Sequence, residues 1–295
     1  MKNIEKFCRE KAIKYKKNEL LAHYTTLRIG GRAELVAFPE EDNVLELVEV
    51  IKNEGLPYYV IGAGSNLLIR DEGFKGVIIN TRKMNKISSY EDNCYYVSSG
   101  VMLSGFLSFM AEKKLSGMEG LAGIPGTIGG AVKGNAGSFG YEIKDCIDEV
   151  EVITDKMEIR VLKKQDITFQ YRSSGLPESW IIRKARLRLK EDVDNQVVGR
   201  MKEFLKKKRN TQPLKERSAG CVFKNPEEQS AGYLIENAGL KGCKTGDIMV
   251  SLLHANYFIN LGRGRASDFL RLVDIVKDKV LKISGIELEL EIKIL

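Results

Sequence analysis

The sequence predicts an α+β protein built in succession: a β-rich stretch through residue 193 with two glycine loops, then a separate α+β domain of about 100 residues. Three observations carry this. The apolar run "YVI" ends in Gly62-Ala63-Gly64, but "SNLLI", the polar turn "RDEGFKG" and the strand-like "VIINT" follow directly. No room is left for the helix of ~10 residues that a βαβ crossover needs, which excludes a unit whose glycine turn opens a helix onto a phosphate. Residues 120 to 140, "GLAGIPGTIGGAVKGNAGSFG", interleave glycine with Leu121, Ile124, Ile128, Ala131 and Val132. A flexible linker would be polar, so this segment reads as buried backbone packed against something flat. From Asp194 the pattern becomes helix, strand, helix, strand.

In order along the chain, "DNVLELVEVIKNE" puts Val44, Leu47, Val48 and Ile51 on one helical face, with Asp42 as N-cap and Gly55 as the stop. "PYYVI" reads as a buried strand, "CYYVSSG" as another, and "VMLSGFLSFMAEKKLSG" returns to helical spacing. "DEVEVIT", "EIRVL" and "SWIIRKARLRL" read as strands of one sheet. A basic helix over about 195–209 then leads to "SAGCVFKNP", a short helix "AGYLIENAG" and a strand "NYFINL". Ser267 caps a long helix, "DFLRLVDIVKDKVLKIS", Gly285 ends it, and "IELELEIKIL" closes the chain as a strand. The predicted divisions are 1–85, 86–193 and 194–295.

The 295 residues, 43% apolar and 29% charged, are ordinary for a soluble protein with cores of real size. No stretch nears the ~20 apolar residues of a membrane span, and the charged N-terminus lacks the apolar core of a signal peptide, so the expected location is the cytoplasm. Five scattered cysteines without a C-x-x-C pair read as thiols, and two distant histidines argue against a metal site. A net charge of +7 suits an anionic partner: nucleic acid, a membrane surface or a phosphorylated small molecule. The densest basic stretch, residues 202 to 217, reads as a solvated helix face with a basic last turn. A nucleic-acid site would interleave exposed aromatics, and only Phe204 and Phe223 lie nearby, so no nucleic-acid partner is expected.

Glycine-rich backbone can cradle a pyrophosphate without a helix, because its amides form a nest and its φ is unrestricted. The loops 62–66 and 123–137 are predicted to face each other across one extended dinucleotide. Taken alone, a structural turn explains "GAGSN" equally well.

Together and in order, "TTLRIGG", "VIGAGSNLLI", "GIPGTIGGAVKGNAG", "FQYRSS", "TQPL", "SAGCVFKNP", "HANYFIN" and the closing "LELEI" resemble the UDP-N-acetylenolpyruvoylglucosamine reductase family. The likeness runs from about residue 18 to the end, although "GAGSN" by itself is shared with other FAD enzymes. It implies a two-part FAD-binding fold of the vanillyl-alcohol-oxidase (PCMH) class, followed by a separate substrate domain. Non-covalent FAD would be held by Gly62, Ala63, Gly64, Ser65, Asn66 and Leu67, and by Gly123, Ile124, Pro125, Gly126, Thr127, Gly130, Asn135 and Gly137. The implied reaction uses NADPH to reduce the enolpyruvyl ether of a UDP-sugar to UDP-N-acetylmuramate for peptidoglycan. Because "RLRLKEDVDNQVVGRMKEF" passes almost directly from strand to helix, the chain resembles the family's shorter form, without a tyrosine-bearing loop.

The same resemblance implies three catalytic residues. Arg172, in "QYRSS", would meet the substrate carboxylate, which must absorb charge when hydride adds to an electron-rich enol ether. By pattern alone Arg172 is a strand-end arginine in a surface ion pair. Glu291 matches the catalytic glutamate, whose burial would raise its pKa; the alternation of Glu287, Glu289 and Glu291 also fits any half-exposed strand, and a slip of two residues selects Glu289. Cys221 stands where many members carry the serine that protonates C2; a thiol, with an ordinary pKa of ~8.5, is the stronger acid. A small buried cysteine is the plainer reading. For the UDP pyrophosphate the resemblance points to Asn225 and Lys224, then Gln212 and His254. Gln212 falls where longer members carry a lysine, so Arg209 or Lys208 would supply charge; Tyr171 would pack on flavin or substrate, and His254 is equally readable as structural. The competing enzyme reading is another FAD oxidoreductase of this fold acting on an alcohol or hydroxy acid, against which "SAGCVFKNP" and the ending count. A monomer or weak oligomer is expected.

Overall fold

Strand Tyr58–Ile61 runs parallel to Phe74–Asn80, pairing Tyr58 with Val77 and Ile61 with Asn80. The link between them contains only the two-residue strand Leu67–Leu68 and no helix, as the sequence predicts. In the computed structural model, which describes residues 1–295, these strands belong to a four-stranded sheet in the order Lys14–Leu20, Arg32–Phe38, Phe74–Asn80, Tyr58–Ile61. The chain packs as two units, each assembled from separated segments. One comprises Met1–Lys17, Leu35–Ala63 and Gly76–Lys207; the other comprises Asn18–Glu34, Gly64–Lys75 and Lys208–Leu295.

The first unit has two cores. Helix Val44–Asn53 buries Val44, Leu47, Val48 and Ile51, the predicted stripe, against Ile4 and Cys8 of helix Lys2–Glu10 and against Val77 and Ile79. Its N-cap is Asn43 rather than Asp42, because the helix begins at Val44, the first residue of the apolar stripe. Gly55, with φ +65°, supplies the stop. The second core lies under a five-stranded antiparallel sheet ordered Ile159–Lys163, Ile147–Ile153, Ile181–Arg188, Cys94–Ser98, Ile87–Glu91. Helix Leu103–Glu112 buries Phe106, Leu107 and Met110 there. The glycine-rich segment also yields a helix, Ile128–Lys133, which packs on the sheet strands Ile181–Arg188 and Cys94–Ser98. Its flat neighbour is therefore a sheet, and its Gly129 admits close approach: a Cβ there would lie 2.6 Å from Ser99 Cβ.

In the second unit, strands Ser218–Cys221, Tyr257–Asn260, Ile248–Val250 and Lys244–Thr245 form one sheet. Helices Ala231–Asn237 and Ala266–Ser284 cover it, burying Leu234, Ile235, Phe269, Leu272 and Val276 with Phe223 and Phe258. Leu27, Ile29 and Leu68 complete this core.

Two expectations need correction here. Ser267 lies inside the long helix, whose N-cap is Arg265. The first amides, of Ala266 and Ser267, donate instead to the Asp71 carboxylate at 2.8 and 3.1 Å. The closing segment is not one continuous strand. Its first half bonds to residues 222–224, with Lys224 N donating to Glu289 O and Glu291 N to Val222 O, each at 2.8 Å. Its second half, Lys293–Ile294, pairs in parallel with Leu67–Leu68.

Candidate active site

Within the first unit the two glycine loops touch. A Cβ on Gly62 would lie 2.4 Å from Thr127 Oγ1, closer than packing allows, so only glycine lets the loops meet here. Thr127 is buried, and its hydroxyl accepts from Gly130 N at the start of helix Ile128–Lys133. Asn80 Nδ2 donates to Gly62 O at 3.4 Å and fixes the first loop from the next strand. Gly123 and Gly126 take φ +82° and +145°, backbone that side chains rarely tolerate.

Further along the second loop, Asn135 is fully buried with φ +40°. Its Nδ2 donates to Glu142 Oε1 and to Gln170 O, at 3.1 and 3.0 Å. Its Oδ1 is buried with no hydrogen-bond partner in the chain. Leaving such an acceptor unmet costs ~1–3 kcal/mol, so it calls for a donor from outside the chain. A glycine cradle admitting close backbone approach, beside an orphan acceptor, fits a dinucleotide that carries both phosphates and a heterocyclic N–H. These residues fit FAD.

Arg172 is not at a strand end. Gln170 and Ser173 pair with each other, so Tyr171 and Arg172 form the tip of a tight turn. Arg172 takes φ +57°, which costs a non-glycine residue ~1 kcal/mol and is a feature that clusters at functional sites. Its Nη1 donates to Gly137 O at 3.0 Å, and its guanidinium lies 5.1 Å from the centre of the Tyr171 ring. Tyr171 itself is exposed. The first unit thus brings Asn135, Gly137, Tyr171 and Arg172 together.

The second unit takes up the first loop from Gly64. Gly64 has φ +62°, and a Cβ there would stand 2.0 Å from Tyr24 O. Thr26 binds it, its amide donating to Gly64 O at 3.2 Å while its hydroxyl donates to Ser218 O at 2.6 Å. Asn66 Nδ2 donates to Glu291 O at 3.2 Å, so the backbone of Glu291 is held on both sides. The Glu291 side chain is half-buried, whereas Glu289 is exposed and ion-paired with Lys224.

Cys221 is half-buried and pairs across the sheet with Tyr257. The Tyr257 hydroxyl donates to Gln212 Oε1 at 3.1 Å, and its ring meets the His254 ring at 4.9 Å. Gln212, Cys221 and His254 are therefore grouped around one tyrosine. His254 Nδ1 accepts from Asn256 N at 3.3 Å, and burial holds its pKa below the ordinary imidazole value, keeping the ring neutral. Asn225 Oδ1 accepts at 3.0 Å from Ala231 N, the first amide of helix Ala231–Asn237, whose N-cap is Ser230. Arg209 is exposed in the last turn of helix Val197–Thr211.

Sequence reasoning missed Tyr257, Glu142 and Thr26 as individuals. "HANYFIN" and "TTLRIGG" were legible as motifs, but which of their side chains reach across to other segments is decided only by the fold. Asn256 is the clearest case: buried, it accepts from Phe223 N at 2.9 Å and donates to Phe223 O at 2.8 Å.

Residues 33–163 match the family model of an FAD binding domain, and residues 212–295 match that of the UDP-N-acetylenolpyruvoylglucosamine reductase C-terminal domain. The UDP-N-acetylenolpyruvoylglucosamine reductase of Syntrophobacter fumaroxidans is 39% identical over 290 residues, covering 96% of this chain and 84% of its own length. That of Carboxydothermus hydrogenoformans is 38% identical over 281 residues, covering 94% and 93%. Among solved structures, UDP-N-acetylenolpyruvylglucosamine reductase from Thermus caldophilus superposes with a TM-score of 0.81 at 39% identity, over 96% of this chain and 98% of that one. Glucooligosaccharide oxidase from Acremonium strictum reaches a TM-score of 0.51 at 13% identity over 94% of this chain and 58% of that one, a likeness of fold alone.

Proposed function

The chain belongs to the UDP-N-acetylenolpyruvoylglucosamine reductase family, and from that premise we propose that residues 62–67 and 123–137 bind FAD while Arg172, Cys221 and Glu291 act on the enolpyruvyl substrate. The protein is an FAD-dependent oxidoreductase that uses NADPH to reduce UDP-N-acetylglucosamine-enolpyruvate to UDP-N-acetylmuramate, a peptidoglycan precursor. FAD held by residues 62–67 and 123–137 would supply the hydride chemistry between NADPH and C3 of the enolpyruvyl group. All other steps belong to the chain's own residues.

Arg172 presents a planar double donor to the substrate carboxylate, where charge accumulates as C3 gains hydride. Its turn is fixed by backbone bonds at Gln170 and Ser173, so little reorganisation accompanies that charge. The Cys221 Sγ–H delivers the proton to C2. Glu291, held at its backbone by Val222 and Asn66, acts on the substrate as the protonated acid, the form that can donate to an anionic group; Glu289 is already engaged by Lys224. Asn225 and Lys224 offer donors to the pyrophosphate, with Arg209 adding charge and with Gln212, His254 and Tyr171 shaping the remaining walls.

We place three domains at 1–85, 86–193 and 194–295, the first two binding FAD and the third substrate. Three hydrophobic cores support the number, while Leu27, Ile29 and Leu68 of the first range join the third domain's core and Ile153 and Ile181 of the second join the first domain's. No helix is long and apolar enough to cross a membrane, and the proposed setting is the cytoplasm, as a monomer or weak oligomer. The observation that carries the FAD assignment is the contact of Gly62 with Thr127, which joins two nest-capable loops in one unit. The purified protein should be yellow, release FAD on denaturation, and convert UDP-N-acetylglucosamine-enolpyruvate to a product two hydrogens heavier for each NADPH consumed. Colourless protein, or NADPH consumption without that product, overturns the reading.

A further inference from the structure

Asn135 is completely buried in a left-handed conformation, and both hydrogen-bond partners of its Nδ2 are acceptors, Glu142 Oε1 and Gln170 O. The opposite amide orientation would set its oxygen against both of them, so the chemistry fixes the direction of this side chain. Oδ1 must face the other way, where the chain offers it no donor. A buried acceptor of fixed direction awaits a donor from a ligand. Its partial negative charge suits no phosphate, so within a dinucleotide it matches a donor: an N–H of a ring system or a sugar-chain hydroxyl.

The same side chain also bonds the turn that carries Arg172. Gln170, whose carbonyl it holds, opens the turn with Arg172 at its tip, and Gln170 and Ser173 close that turn through bonds of 2.8 and 3.2 Å. Two residues beyond Asn135, Gly137 O accepts from Arg172 Nη1 at 3.0 Å. Arg172 stands at φ +57°, a conformation that persists only while its surroundings enforce it.

We propose that Asn135 is a positioning residue that joins the cofactor to the substrate arginine: its Oδ1 accepts a hydrogen bond from the imide N–H of the flavin ring, while its Nδ2 latches the Gln170–Ser173 turn that presents Arg172. This rests on the glycine-loop and Arg172 assignments above. The adenine amino group and the ribose and ribityl hydroxyls are the other donors of FAD. The flavin ring is favoured because the carboxylate bound by Arg172 lies beside the atoms that receive hydride, and Asn135 is tied directly to that arginine's turn.

Asn135→Gly accepts the left-handed φ and deletes both functions. Apoprotein titrated with FAD should bind about tenfold more weakly, the worth of one lost hydrogen bond. At saturating FAD, the half-reaction with UDP-N-acetylglucosamine-enolpyruvate should slow more than the half-reaction with NADPH. Added to Arg172→Ala, the same change should slow the substrate half-reaction no further, because both act through one group. Asn135→Asp provides rescue: once protonated, its carboxyl donates one O–H to Gln170 O and still accepts with the other oxygen. FAD affinity and the substrate half-reaction should therefore recover in that variant as pH falls, and this reading stands even if Asn135→Gly fails to fold. Native FAD affinity in both variants would mean that Oδ1 holds only water, and the flavin half of the proposal would be wrong. Additive slowing with Arg172→Ala would overturn the latch. If Arg172→Ala alone leaves the substrate half-reaction intact, the role given to Arg172 fails and the latch with it, while the FAD titration still decides the fate of Oδ1.

Discussion

Cys221 shares a sheet pair with Tyr257, whose hydroxyl reaches Gln212, so its half-buried thiol lies among the residues proposed for substrate. Cys221→Ser should keep a proton donor and remain active at a lower rate. Cys221→Ala should lose ~10²–10⁴ in the substrate half-reaction, the usual worth of general acid catalysis, with a much smaller effect on NADPH oxidation. Stopped-flow measurement of the two half-reactions separates these effects; equal losses in both would make the cysteine structural. His254 gives a pH signature of a different kind. Burial lowers its pKa from 6.5, so the unfolded chain binds the proton more readily than the folded one. Its contribution to stability is therefore present above pH 6.5 and is lost as the pH falls below that value. His254→Asn keeps an acceptor for the Asn256 amide but does not titrate, so urea midpoints of the variant should fall less steeply than those of the native protein between about pH 6.5 and 5. Parallel curves would contradict the buried neutral ring.

Helix Ala266–Ser284 shows what an element-level pattern can and cannot reveal. Its apolar stripe and its Gly285 stop, at φ +72°, are readable because both are local. Its start is not: the cap comes from Asp71, 195 positions away, and no local pattern announces that. Burial alone would raise the pKa of Asp71, but the Ala266 and Ser267 amides, aided by Arg265, outweigh it and hold the carboxyl below its ordinary value. Its stabilisation is present above pH 3.8 and is lost as pH falls through the lowered folded value. Asp71→Ala should cost ~1–2 kcal/mol, as loss of a helix cap does, and should flatten the acid limb of the stability curve. Denaturant titration at neutral and acid pH checks both; a loss that persists undiminished in acid would assign the effect to packing instead. The C-terminal segment gives the same lesson. Alternation of Leu288, Leu290 and Ile292 with three glutamates correctly marks extended backbone, yet its partners change midway from residues 222–224 to Leu67–Leu68.

Across the whole molecule, the glycine loops and the order of motifs were legible because each depends on residues close in sequence. The assembly of each unit from separated segments was not, since strands such as Lys14–Leu20, "KYKKNEL", lie mostly exposed and carry no apolar alternation. Asn135 was legible only as a member of a motif; its orphan acceptor and its hold on Gln170 arise from contacts with residues up to 35 positions away. In the proposed mechanism the Gln170–Ser173 turn holds Arg172 against the substrate carboxylate. This role is tested most directly by single-turnover kinetics of Arg172→Ala, reduced beforehand and mixed with UDP-N-acetylglucosamine-enolpyruvate. Loss of one preorganised charge-stabilising donor should slow flavin reoxidation by ~10²–10³ while slowing reduction by NADPH far less. Reoxidation by the substrate at the native rate would contradict the account.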